Sequence, residues 1–181
     1  MHFGHLRDME RLNLDHHRLT RLPRSVGGLT TLRVLKADHN KLEFVPPAIC
    51  ELYFLHTLSL EYNRIRFLPD NLGALSSLRF LTLNNNKLIA LPASIGDLVA
   101  LESLDLARNN IVVLPLTMGL LRQLRNLILR HNGFLRLPFR MGRLEALESL
   151  DVSLNKIAYL PDSLRSCTKL RSLRHAKCYW D

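Results

Sequence analysis

Seven prolines stand at one fixed interval: Pro23, Pro46, Pro69, Pro92, Pro115, Pro138 and Pro161 are each 23 residues after the last. Pro47 is the one proline outside the series. Asparagine keeps the same step at Asn40, Asn63, Asn86, Asn109, Asn132 and Asn155, with His17 and Cys178 in its place at the two ends. A period held this long without insertion means one structural unit, repeated and stacked so that each copy touches only its neighbours. Function in such an array is expected on an extended surface rather than in a pocket.

Aligned on Leu32, Leu55, Leu78, Leu101, Leu124 and Leu147, the copies share the pattern LxxLxLxxNxLxxLPxxIxxLxx, and residues 78–100 fit it throughout. The LxL core, as in Leu81 and Leu83, puts both leucines on one face of a short strand. One strand cannot bury that face alone. Stacked in parallel at about 4.8 Å, neighbouring strands satisfy each other's backbone and their leucines form a continuous interior. The asparagine side chain offers two donors and an acceptor to the turn that leaves the sheet. Proline on the return path opens a helical turn, where no backbone donor is needed. Apolar pairs three apart, such as Ile95 with Leu98 or Met118 with Leu121, suit a short helical segment packing inward. Glycines at Gly27, Gly73, Gly96, Gly119 and Gly142 are locally costly, and are read as permitting close approach between adjacent turns.

This pattern is identified as the leucine-rich repeat. Its LPxxIxxL half resembles the intracellular 23-residue group that includes the Ras-suppressor and scribble-type proteins. The resemblance implies a right-handed solenoid, α/β in the loose sense, with a parallel concave sheet and short helical or 3-10 turns on the convex side. It also implies a non-catalytic protein-interaction module, an intracellular signalling scaffold, with small GTPases or phosphatase subunits as partners. A rival expectation is the recognition segment of a larger enzyme such as a kinase, ubiquitin ligase or cyclase.

The 181 residues divide into seven full repeats over about 9–169, with partial repeats at 1–8 and 170–181, read as one domain. Phe3, Gly4 and Leu6 fit the second half of a preceding repeat, and Leu170 and Leu173 begin another. Neither end shows the polar capping unit that solenoids need, so the chain is expected to be a region of a longer protein. Cys50, Cys167 and Cys178 are odd in number and widely spaced, unlike the paired cysteines of extracellular caps. Together with the lack of a secretory signal, sequon or long apolar run, this leads to an expectation of a cytoplasmic protein with no membrane span.

The formal net charge is +9. Residues 106–144 hold seven arginines and no acid: Arg108, Arg122, Arg125, Arg130, Arg136, Arg140 and Arg143. The repeat register places Arg108 and Arg130 near the concave rim and Arg136, Arg140 and Arg143 toward the outside. Such a belt favours acidic partners, although a merely solvated face has the same composition.

Concave positions are those flanking the strand leucines and the two before each asparagine. Asp15, Asp38 and Glu61 form an acidic row, continued by Asn84. Beside it run His16, His39, Tyr62, Asn85, Arg108, His131 and Leu154. Phe80, Asp105 and Ile128 lie on the strands, and Arg130 precedes His131. Acid, histidine and aromatic side chains giving way to arginine and apolar groups suit a protein-recognition surface; ordinary polar coating is the alternative.

Asp15, His16, Asp38 and His39 are also metal-ligand types, but a row does not converge on a point, so no cofactor or metal is expected. No GxSxG elbow, phosphate loop or HExxH spacing is present, and no catalytic residue is assigned. His56 and His175 face solvent by register. The basic row Arg18, Lys41, Arg64, Lys87 and Lys156 is broken by Asn110 and Gly133 and lacks interleaved aromatics, which disfavours a nucleic-acid groove.

Overall fold

The computed structural model describes residues 8–176. Phe3, Gly4, Leu6 and Cys178 therefore lie outside the described residues. Eight three-residue strands follow one another: β1 (Arg11–Asn13), β2 (Val34–Lys36), β3 (Thr57–Ser59), β4 (Phe80–Thr82), β5 (Ser103–Asp105), β6 (Asn126–Ile128), β7 (Ser149–Asp151) and β8 (Ser172–Arg174). They form one parallel sheet in sequence order. Register is uniform: Leu12, Leu35, Leu58, Leu81, Leu104, Leu127, Leu150 and Leu173 sit opposite one another. The leucine columns and the isoleucine–leucine pairs of the return path close on one core.

The asparagines act as repeat-to-repeat clamps. Asn86 Nδ2 donates to the carbonyls of Leu60 (2.9 Å) and Leu83 (3.0 Å), while its Oδ1 accepts from the Ile65 amide at 3.0 Å. Asn40, Asn63, Asn109, Asn132 and Asn155 repeat this pattern. Each therefore satisfies backbone groups of its own turn and of the preceding repeat, where a buried orphan would be costly.

On the convex side the chain forms 3-10 turns: Arg24–Gly28, Pro47–Glu51, Leu72–Ala74, Ala93–Asp97, Leu116–Leu120, Phe139–Arg143 and Asp162–Ser166. The expected placement of proline needs adjustment. Pro23, Pro46, Pro92, Pro115, Pro138 and Pro161 are extended N-caps, and of the eight only Pro47 stands inside the first turn. The cap carbonyl, not a missing amide, makes the contact: Pro92 accepts from Ile95 N at 3.1 Å.

Glycine does what close approach requires. A Cβ on Gly27 would stand 2.7 Å from the Ala48 carbonyl oxygen, and one on Gly119 would stand 2.6 Å from that of Arg140. In the second repeat this column holds Cys50. The turn it faces departs from the rest, shrinking to Leu72–Ala74 with Asn71 (φ −93, ψ 21) as its cap instead of an extended proline.

Candidate functional site

The residue before each repeat asparagine, and before His17 in the first repeat, has a left-handed backbone. His16, His39, Tyr62, Asn85, Arg108, His131 and Leu154 all have φ between 52° and 61°, and Arg18 joins them at 56°. Histidine and asparagine are enriched in this region, so backbone geometry accounts for four of those seven choices before any partner is considered. It also turns the side chains outward in line. The rings of His16 and His39 stack with centroids 4.5 Å apart, and those of His39 and Tyr62 at 4.3 Å, nearly parallel in both pairs.

The acidic row is less available than its residue types imply. Asp15 Oδ1 accepts from the Asp38 amide at 2.7 Å, and Asp38 Oδ1 accepts from the Glu61 amide at 2.9 Å. Asp38 also takes the Ser59 hydroxyl at 2.8 Å and is only 8% exposed. Burial raises its pKa above the ordinary carboxylate value, against the lowering effect of those hydrogen bonds. As a surface contact, Asp38 is therefore corrected to a structural cap. Asp15 and Glu61 are half-buried. Asp105, also half-buried, accepts from the Ala107 amide at 2.9 Å and is likewise raised, chiefly by burial.

What remains exposed is aromatic and basic. Tyr62 is 48% and Phe80 41% exposed, and the Arg79 guanidinium lies 5.7 Å from the Phe80 ring centroid. His16, His39, Arg108, Arg130 and His131 are exposed, while Asn85 is half-buried. Ile128 and Leu154, expected to be exposed, are half-buried as well, because neighbouring columns cover part of each side chain. His56 is also half-buried, not solvent-facing, and its Nδ1 is buried without a partner. The metal reading loses its geometry: His16 and His39 meet face to face, and both aspartates already serve backbone amides. Among the described residues no group of three or more such side chains is gathered to hold an ion.

Sequence reasoning missed an ion-pair ladder at the start of the strands. Arg33 meets Glu10 at 3.7 Å, Arg79 meets Glu102 at 2.6 Å, and Arg125 meets Glu148 at 2.7 Å. The column one residue after each repeat's first apolar position, Glu10, Arg33, His56, Arg79, Glu102, Arg125 and Glu148, alternates Arg and Glu except at His56, and was its available signal. Arg125 and Arg122, the latter 3.6 Å from Glu145, are thereby removed from the unpaired part of the basic belt. Cys50 and Cys167 are buried free thiols; burial raises the Cys50 pKa to about 11. No helix among the described residues is long and apolar enough to cross a membrane.

Comparison with known proteins agrees with this architecture. Among solved structures, a leucine-rich repeat protein of Leptospira interrogans superimposes over 95% of this chain at 34% identity and a TM-score of 0.92. The leucine-rich repeat domain of the type III effector XopL covers 81% at 27% identity and a TM-score of 0.75. An internalin of Listeria monocytogenes, at 21% identity and a TM-score of 0.69 over 97% of the chain, shares the fold. The chain spans about half of each, at 44%, 52% and 57% of their lengths. No curated protein sequence matches it. A profile described as leucine-rich repeat region matches residues 68–181, and with it the chain belongs to the leucine-rich repeat family.

Proposed function

We propose that the chain is a non-catalytic recognition module that binds a protein partner through its concave face, as part of an intracellular signalling scaffold. The family and its structural neighbours support protein interaction. The observation that carries the concave reading is the exposed strip of His16, His39, Tyr62 and Phe80 leading to Arg108 and Arg130. A pre-stacked aromatic column has little side-chain freedom left to lose on binding, and aromatic and arginine side chains are the usual anchors of interfaces. A cytoplasmic setting belongs to the same proposal, supported by two buried, unpaired thiols. Membership of the LPxxIxxL subgroup, and with it small GTPases or phosphatase subunits as first candidates, rests on the sequence resemblance alone.

The test begins with affinity capture on the full chain and proceeds to the dissociation constant of the captured partner. Replacing Tyr62, Phe80 and Arg108 together by alanine is expected to weaken binding at least about tenfold with Tm nearly unchanged. An unaltered constant removes this face from consideration.

A further inference from the structure

Between each asparagine and the next proline the chain runs along a flank of the solenoid, and two side chains per repeat there point away from the core. In the later repeats all of these but Arg136 are apolar. Val113 is 62%, Leu135 63% and Tyr159 69% exposed. Just past the prolines, Leu116 (50%) and Phe139 (63%) extend the same surface onto the convex turns. Val113, Leu116, Phe139 and Tyr159 line a groove of about 490 Å³ whose wall also carries Arg136. A contiguous exposed apolar surface on a soluble fold marks an interaction site more often than chance.

Basic groups outnumber acids around this groove. Arg136 lines it, the Arg140 guanidinium lies 5.8 Å from the Phe139 ring centroid, and Arg143 ends the same turn. None of these three has an ion pair among the described residues, and Arg140 Nε is buried without a hydrogen-bond partner. The acid nearest along the turn column, Asp162, is already 3.6 Å from Arg165. Apolar walls and unpaired guanidiniums together define what complements them.

We propose that this flank is a second docking surface for an acidic protein segment with aliphatic or aromatic anchors. The anchors enter the groove between Val113, Leu116, Phe139 and Tyr159, and carboxylates pair with Arg136 and Arg140. A second copy of the same surface would set arginine against arginine. A lipid surface is served by protruding apolar groups, whereas these line a depression. The proposal is independent of the concave reading, because it uses different columns of the repeat.

Fluorescence anisotropy of the full chain tests it, using a labelled peptide in which leucine and phenylalanine alternate with paired glutamates. Saturable binding is expected, weakened at least about tenfold in Phe139→Glu and in Arg136→Glu and unchanged in Phe80→Ala. Both flank positions are exposed, so circular dichroism should show intact folding; if Phe139→Glu unfolds, Arg136→Glu carries the test alone. No saturable binding, equal binding of a lysine-for-glutamate peptide, or loss in Phe80→Ala instead would overturn it. So would phosphatidylserine vesicles capturing the chain when the peptide does not, or a dimer in sedimentation that Phe139→Glu abolishes.

Discussion

The concave and convex sides of this solenoid are assembled by different forces. On the concave side, neighbouring repeats are joined by backbone hydrogen bonds and by asparagine clamps. Side-chain identity there varies widely without disturbing register: Arg11, Val34, Thr57, Phe80, Ser103 and Asn126 occupy one column. On the convex side, backbone hydrogen bonds close within each turn, as from Ile95 N to Pro92 O and from Leu98 N to Ile95 O. Adjacent turns meet through atomic fit, helped by occasional side-chain bonds such as Thr117 Oγ1 to Ala93 O at 2.7 Å. A ladder made of backbone tolerates substitution, whereas a fit made of missing side chains does not. Where Cys50 replaces the column's glycine, the next turn is the irregular one, which is consistent with this.

The strongest blow to the ladder is Asn86→Ala. It removes four hydrogen bonds, three of them buried, and at about 1 kcal/mol or more for each of the buried three, roughly 3 kcal/mol should be lost in denaturant titration. A loss no larger than that of an exposed substitution would show that the clamp is dispensable.

Two glycines sharpen the convex half of the contrast. Gly96→Ala places a methyl group 2.5 Å from the Thr117 carbonyl oxygen and 2.7 Å from Thr117 Cβ. Overpacking against backbone should cost about 2 kcal/mol. Gly28 has nothing within 4 Å of an added Cβ, so Gly28→Ala should be neutral or stabilising by up to about 0.5 kcal/mol. Similar losses at both positions would mean that glycine serves flexibility rather than contact.

A smaller effect tests the left-handed column. Arg108 is exposed at φ 54°, and Arg108→Asn should raise stability by about 0.5 kcal/mol, since asparagine tolerates this region better. Unchanged stability would indicate that the strain is negligible.

The smallest effect depends on pH. The Asp105 pKa is raised, first by burial and further by Glu61 and Asp151. A carboxyl raised on folding contributes stability in its protonated form, and that contribution is lost as pH rises through the folded pKa. Asp105→Asn keeps an acceptor for Ala107 N, and should therefore gain slightly over the parent at neutral pH. The gain should shrink as pH falls into the carboxylate range; an advantage that persisted in acid would contradict the burial account.

Much of the architecture could be read from spacing alone. The 23-residue step dictates which residues become lateral neighbours, so the leucine columns, the asparagine clamps and the close-approach glycines follow from the pattern with ordinary hydrogen-bonding and steric rules. Exposure does not follow. Asp38 looks like a surface acid in the pattern, yet it is buried where two donors from the next repeat, the Ser59 hydroxyl and the Glu61 amide, converge on its carboxylate. The apolar flank occupies positions where the template permits any residue, so Val113, Leu135 and Tyr159 leave no periodic trace. The left-handed turn before each asparagine was equally hidden, although its histidines and asparagine are a compositional consequence of it. A linear repeat specifies who stands beside whom, but three-dimensional stacking decides which atoms are left for water, because accessibility depends on all the neighbours of a side chain at once.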